Sequence, residues 1–115
     1  MPPADLRRGD IWLVAFGEPV GREQSGHRPA LVVSADLLNE GPSGVVIVVP
    51  MTTSRRGLPT HIEVDTGSSG LDDVSYAKCE DVKSISVERL IARAGNAGSD
   101  VMFEVTRSLR FLLDL

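Results

Sequence analysis

Two short stretches of this 115-residue chain hold side chains suited to acting on a phosphate. Residues 17–27 form a polar run in which Glu23, Gln24 and His27 lead into Arg28, and residues 52–56 read Thr-Thr-Ser-Arg-Arg. A guanidinium presents a planar fork of donors that matches two phosphate oxygens, and a threonine hydroxyl can support charge developing on a phosphoryl oxygen. Arg28 with Thr52 would therefore suit phosphodiester chemistry that needs no metal. The same residues also have an ordinary structural use, with Arg28 pairing with Glu23 at a strand start and Thr52 and Thr53 forming a turn.

Several other chemistries are disfavoured. His27 and His61 are the only histidines, and neither has a second ligand at metal-binding spacing on one element, so neither a metal nor another cofactor is expected. No glycine-rich phosphate loop, nucleophile elbow or Cys/His signature is present. The one cysteine, Cys79, leaves no partner for an intramolecular disulfide and fits a reducing compartment, so a cytoplasmic location is expected. Neither a signal peptide nor a membrane span is expected, since the longest apolar run, residues 45–51, is short and contains Pro50. A net charge of −4 removes the globally basic surface of many nucleic-acid binders, so such a function would rest on a local patch.

The elements that must position these residues follow from length and patterning. At 12.3 kDa and 42% hydrophobic residues, the chain predicts one domain, residues 1–115, with a single core. Aromatic residues make up only 4%, so Val, Ile and Leu dominate the apolar mass and favour sheet over helical bundle. Strands are predicted at residues 10–16, 28–34, 45–51, 61–65, 74–77, 82–85 and 90–94, with the first buried on at least part of both faces. Pro29 belongs at the start of the second strand or on an edge. Residues 66–70 read as a break, and Ser86 as the cap of a short helical turn. Ser99 can cap a final amphipathic helix on which Val101, Met102, Val105, Leu109, Leu112 and Leu113 recur at threes and fours. The expectation is a small, strongly bent antiparallel sheet, barrel or sandwich, closed by one C-terminal helix.

Six blocks carry a resemblance. RRGDIWLV (7–14), GREQSGHRPALVVS (21–34), VIVVPMTTS (46–54), LPTHIEV (58–64), EDVKSIS (80–86) and ERLIARAG (88–95) are similar, in order and spacing, to the MazF/PemK-like toxin endoribonucleases of bacterial toxin–antitoxin systems. The resemblance implies a mainly β, SH3-like small barrel of about seven strands with a C-terminal helix, shared with the CcdB toxin and assembled as a homodimer. It implies metal-independent, sequence-selective cleavage of single-stranded RNA, with messenger, ribosomal or transfer RNA left open as the main target. The 2′-hydroxyl attacks the adjacent phosphate and leaves a 2′,3′-cyclic phosphate and a 5′-hydroxyl, which stops translation and growth. A MazE-like antitoxin with a disordered tail holds such toxins silent.

By the same resemblance Arg28 falls at the catalytic arginine and Thr52 at the catalytic threonine. Because arginine stays protonated in proteins, Glu23 is kept as the base or as the group that orients Arg28. Gln24, His27, Thr53 and Ser54 would contact substrate, while Arg55, Arg56 and Lys83 would supply local positive potential. Asp81 stands where many members carry Gln, and a carboxylate accepts from a base without donating to it. Two rival readings stay open on sequence alone: a CcdB-like gyrase-inhibiting toxin, and a catalytically inactive SH3-like interaction module.

Overall fold

The computed structural model describes residues 2–17 and 26–115. Seven strands appear: β1 (Asp10–Ala15), β2 (His27–Val32), β3 (Val45–Thr52), β4 (His61–Val64), β5 (Ser75–Lys78), β6 (Lys83–Ser86) and β7 (Leu90–Asn96). Three helices join them: α1 (Asp36–Glu40), α2 (Thr66–Ser69) and α3 (Ser99–Leu113). All pairings are antiparallel, in the order β4-β5-β3-β2-β1-β7, with β6 also on β3. The mainly β class and the terminal helix match the sequence-based expectation, whereas α1 and α2 do not appear in it.

The expected Ser99 cap is also displaced. Gly98, at φ 84°, stands at the N-cap and Ser99 is the first helical residue, because only glycine takes that backbone angle without penalty. The Ser86 expectation matches the structure, since its hydroxyl accepts from the Glu88 N–H at 3.2 Å at the head of the 3-10 turn Val87–Arg89.

Apolar residues fill both faces of the sheet. Trp12, Val14, Ala30, Val32, Val46, Val48 and Ile85 form one cluster with Leu6 and Val87. Ile11, Leu31, Val33, Val49, Met51, Val64, Ala77 and Cys79 form the other, beneath Val105 of α3 and the partly buried Val101, Leu109 and Leu112. Strand alternation explains the division, as neighbours in β1, β2 and β3 point to opposite sides.

The ladder does not close into a hydrogen-bonded barrel. Its two ends, β4 and β7, stay unpaired with each other, and α2, which follows β4, packs on β7 in their place. Backbone meets backbone at that crossing. A Cβ added at Gly95 would lie 2.2 Å from Ser68 O, and one added at Gly70 would lie 1.8 Å from Ala94 O.

Two prolines decide where the central ladders stop. Along β2 and β3 the pairs run Val32↔Val48, Leu31↔Val49 and Ala30↔Pro50, and the Val33 N–H donates to Ile47 O at 3.0 Å. Hydrogen-bonded and non-bonded pairs alternate, so the next bonded pair would be Pro29 with Met51, where Pro29 can accept through its carbonyl but has no N–H to donate in return. Pro50 faces the other edge of β3, between the last β6 pair, Val48↔Lys83, and the first β5 pair, Met51↔Ala77. Among the described residues no helix is long and apolar enough to cross a membrane.

Three substitutions test this packing. Leu31→Ala removes a side chain with no exposed surface and is expected to cost about 2–5 kcal/mol, and Leu109→Ala less, because Leu109 is only partly buried. Gly95→Val should destabilise by about 1–3 kcal/mol or more, through the clash with α2. Chemical denaturation read by circular dichroism checks all three.

Candidate active site

The register ends at Ala30↔Pro50, and carried two residues further it would put Arg28 opposite Thr52 on the adjacent strand. Both alternate onto the same face as Ala30 and Pro50, just past the point where the Pro29 break lets the strands part. Arg28 is exposed and pairs with Val14 of β1, and His27 before it is exposed and pairs with Ala15. Thr52 is half-buried and pairs with Tyr76 of β5. Its hydroxyl oxygen accepts from the Ser54 N–H at 3.1 Å, which fixes the turn and leaves the hydroxyl proton to donate outward.

Thr52 opens onto a pocket of about 630 Å³ lined also by Arg56, Leu58, His61, Lys78, Glu80 and Asp81. Three residues singled out from sequence, Thr52, Arg56 and Asp81, thus meet in one cavity. Thr53, Ser54 and Arg55 are exposed on the turn beside it. Lys83 lies elsewhere: its ammonium sits 5.5 Å from the centroid of the Phe16 ring, a cation–π contact outside the pocket. Glu23 and Gln24 lie outside the described residues.

Leu58, His61, Lys78 and Glu80 are the members that sequence reasoning missed. Alternation in β4 and β5 puts His61 opposite Lys78, and a 3-10 turn at Cys79–Asp81 then presents Glu80 and Asp81. Lys78 Nζ pairs with Asp81 Oδ2 at 3.1 Å across that turn. His61 Nε2 stands 2.6 Å from Glu80 Oε2, and the Thr60 hydroxyl donates to Glu80 Oε1 at 2.8 Å. Among the described residues no group of three or more His, Cys, Asp or Glu is placed to hold a metal ion.

Two groups here titrate away from their ordinary values. Burial acts to raise the Glu80 carboxyl, but hydrogen bonds from His61 and Thr60 outweigh it and hold the group below the usual glutamate value. Burial pushes the Cys79 thiol up, a contact with Ser108 opposes this, and the nearby Glu80 charge adds to the rise. The thiol therefore stays protonated and unreactive in the folded protein. Because the folded Glu80 value is depressed, its contribution to stability is complete above the ordinary carboxylate range and is lost as pH falls below it. The gap in melting temperature between the parental chain and Glu80→Gln should therefore narrow on acidification, as differential scanning calorimetry at stepped pH can test.

The chain has clear relatives. It is 32% identical to Endoribonuclease MazF9 of Mycobacterium tuberculosis, with 96% of this chain and 98% of that protein covered. It is 30% identical to Endoribonuclease EndoA of Bacillus subtilis, with 96% of each covered. The crystal structure of MazF from Deinococcus radiodurans superposes with a TM-score of 0.83 at 27% identity, covering 96% of this chain and 97% of that one. Residues 7–113 match the PemK-like, MazF-like toxin of type II toxin–antitoxin systems, and that span takes in β1 through α3 with the pocket between them. The chain belongs to the PemK-like, MazF-like toxin family.

Proposed function

We propose that residues 1–115 act as one toxin domain, a sequence-selective endoribonuclease that cuts single-stranded RNA in the cytoplasm. The observation that supports this reading is the β2–β3 register, which, extended two residues past Ala30↔Pro50, would bring Arg28 toward Thr52, a residue that lines a polar pocket. Two relatives of matching length are named endoribonucleases, which favours this reading over a gyrase poison or an inactive module.

In the proposed reaction the 2′-oxygen attacks the adjacent phosphorus while its proton passes to a base, with Glu23 or Arg28 in that role. The P–O5′ bond breaks and the 5′-oxygen takes up a proton, leaving a 2′,3′-cyclic phosphate and a 5′-hydroxyl. Arg28 holds the phosphate through its forked donors, and Thr52 donates to the oxygen that gains charge. Side chains carry every step, so no metal enters. Arg55 and Arg56 attract the RNA backbone to an otherwise acidic protein, and Asp81 faces a base. Gln24, His27, Thr53, Ser54 and Lys83 complete the contacts along the strand.

The partners follow from the family. Solved structures include MazE-MazF of Deinococcus radiodurans, whose chain matches this one with a TM-score of 0.78 at 27% identity. By analogy, a MazE-like antitoxin silences a homodimer of this chain.

Cleavage of a long single-stranded RNA should survive EDTA and yield 5′-hydroxyl ends that polynucleotide kinase labels directly. Arg28→Ala and Thr52→Ala should each lower turnover by about 100-fold or more while the fold persists, and Arg28→Lys should restore only part. If Arg28→Ala cuts at the parental rate, the assignment of the site is wrong. Neutralising Arg55 and Arg56 together should raise KM and flatten the salt dependence of RNA binding, with turnover at saturating RNA nearly kept, as filter binding at stepped salt can measure.

A further inference from the structure

The proposed chemistry leaves one cluster of the pocket wall unused. Both oxygens of the Glu80 carboxylate are engaged by two consecutive residues, Oε1 by the Thr60 hydroxyl and Oε2 by His61 Nε2. The Cys79 N–H donates to Thr60 O at 3.1 Å, so backbone and side chains tie the same two segments together. The His61 side chain is 3% exposed, too little to meet RNA itself. Its Nδ1 is shut from solvent and has no hydrogen-bond partner among the described residues. Burying an unpartnered ring nitrogen costs free energy that an aliphatic side chain would not, so core packing alone does not account for a histidine here.

We propose that His61 and Glu80 are positioning residues for the ribonuclease reaction, holding the Cys79–Asp81 turn so that Lys78 and Asp81 meet the nucleotide beside the cut in one fixed geometry. The inference rests on the RNA-cleaving reading above. Cys79, with no exposed surface, anchors the turn under α3, and the Lys78–Asp81 pair spans its other side. Glu80 is the link between these two. Its depressed titration keeps it ionised, and an ionised carboxylate can accept from both donors at once. Without that link the turn retains its buried anchor but loses the constraint on where Lys78 and Asp81 point. Arg28 and Thr52 belong to β2 and β3, so the groups assigned to the phosphate stay in place.

The test uses the full chain and a set of single-stranded RNAs with each of the four bases in turn on either side of the cut. For His61→Leu, KM should rise by about 10-fold or more and the base preference should flatten, while kcat stays within about three-fold. His61→Gln, whose amide N–H can reach the place of Nε2, should return KM to within about three-fold of the parental value and restore the preference. Glu80→Gln should behave like His61→Leu, and it carries the measurement if His61→Leu does not unfold cooperatively.

Parental KM and base preference in both His61→Leu and Glu80→Gln would overturn the assignment. So would a loss confined to kcat that tracks the unfolded fraction, the signature of a purely structural role. A parental chain that leaves every RNA intact would overturn the RNA-cleaving reading and this inference together. A parental chain that cuts, beside variants that match it, would overturn the inference alone.

Discussion

A strand whose outward-facing residue is proline cannot keep one hydrogen-bonded partner along its whole edge, and β3 is organised around that restriction. On one side β3 carries β2 until Pro29 ends the ladder. On the other it carries β6 up to Val48 and β5 from Met51, with Pro50 at the change. Had β2 and β3 stayed zipped past Ala30, Arg28 and Thr52 would be locked in a continuous sheet. Had β6 held the far edge throughout, Tyr76, Lys78 and the Cys79–Asp81 turn would have no place beside Thr52. The pocket exists because β3 changes partners where it does.

The electrostatics of that pocket suit a polyanionic ligand despite the acidity of the chain. Arg56, Lys78, Glu80 and Asp81 all line it. Lys78 pairs with Asp81, and Thr60 and His61 both contact Glu80. Each carboxylate thus has partners within the wall that blunt its repulsion of an approaching phosphate. Arg56 adds an exposed cation to the pocket lining, and the net charge of the whole chain says little about the field at this point.

The sequence reveals most of the fold and part of the site, and the boundary between the two has a physical cause. β1, β2, β3 and α3 are legible because apolar runs and a 3.6-residue period persist long enough to register. α1 and α2 span five and four residues, too short for any period, and α2 contains a glycine that reads as a break. A bent sheet could be foreseen, but its closure by backbone contact at Gly70 and Gly95 could not, because no local pattern reports a crossing between distant segments. Arg28 and Thr52 stand out by residue type and by family resemblance. His61, Lys78 and Glu80 come together only through the β4–β5 register, and Glu80 gains its meaning from hydrogen bonds that no spacing encodes. Lys83 looks from sequence like one more cation for RNA, and the position of its ammonium 5.5 Å from the centroid of the Phe16 ring is a contact that no spacing encodes.

The pairing of β1 with β7 joins Asp10 to Asn96 and so spans most of the chain. Such a contact is expensive in loop-closure entropy and slow to form, and β1 has its second partner only when β7 has been made. During synthesis the first strands leave the ribosome with an open edge, and the sheet is completed only when the last quarter of the chain emerges. A nascent chain therefore passes most of its time on the ribosome as an incomplete sheet. For a toxin of this family, harm would begin with the release of a finished chain and not during its elongation.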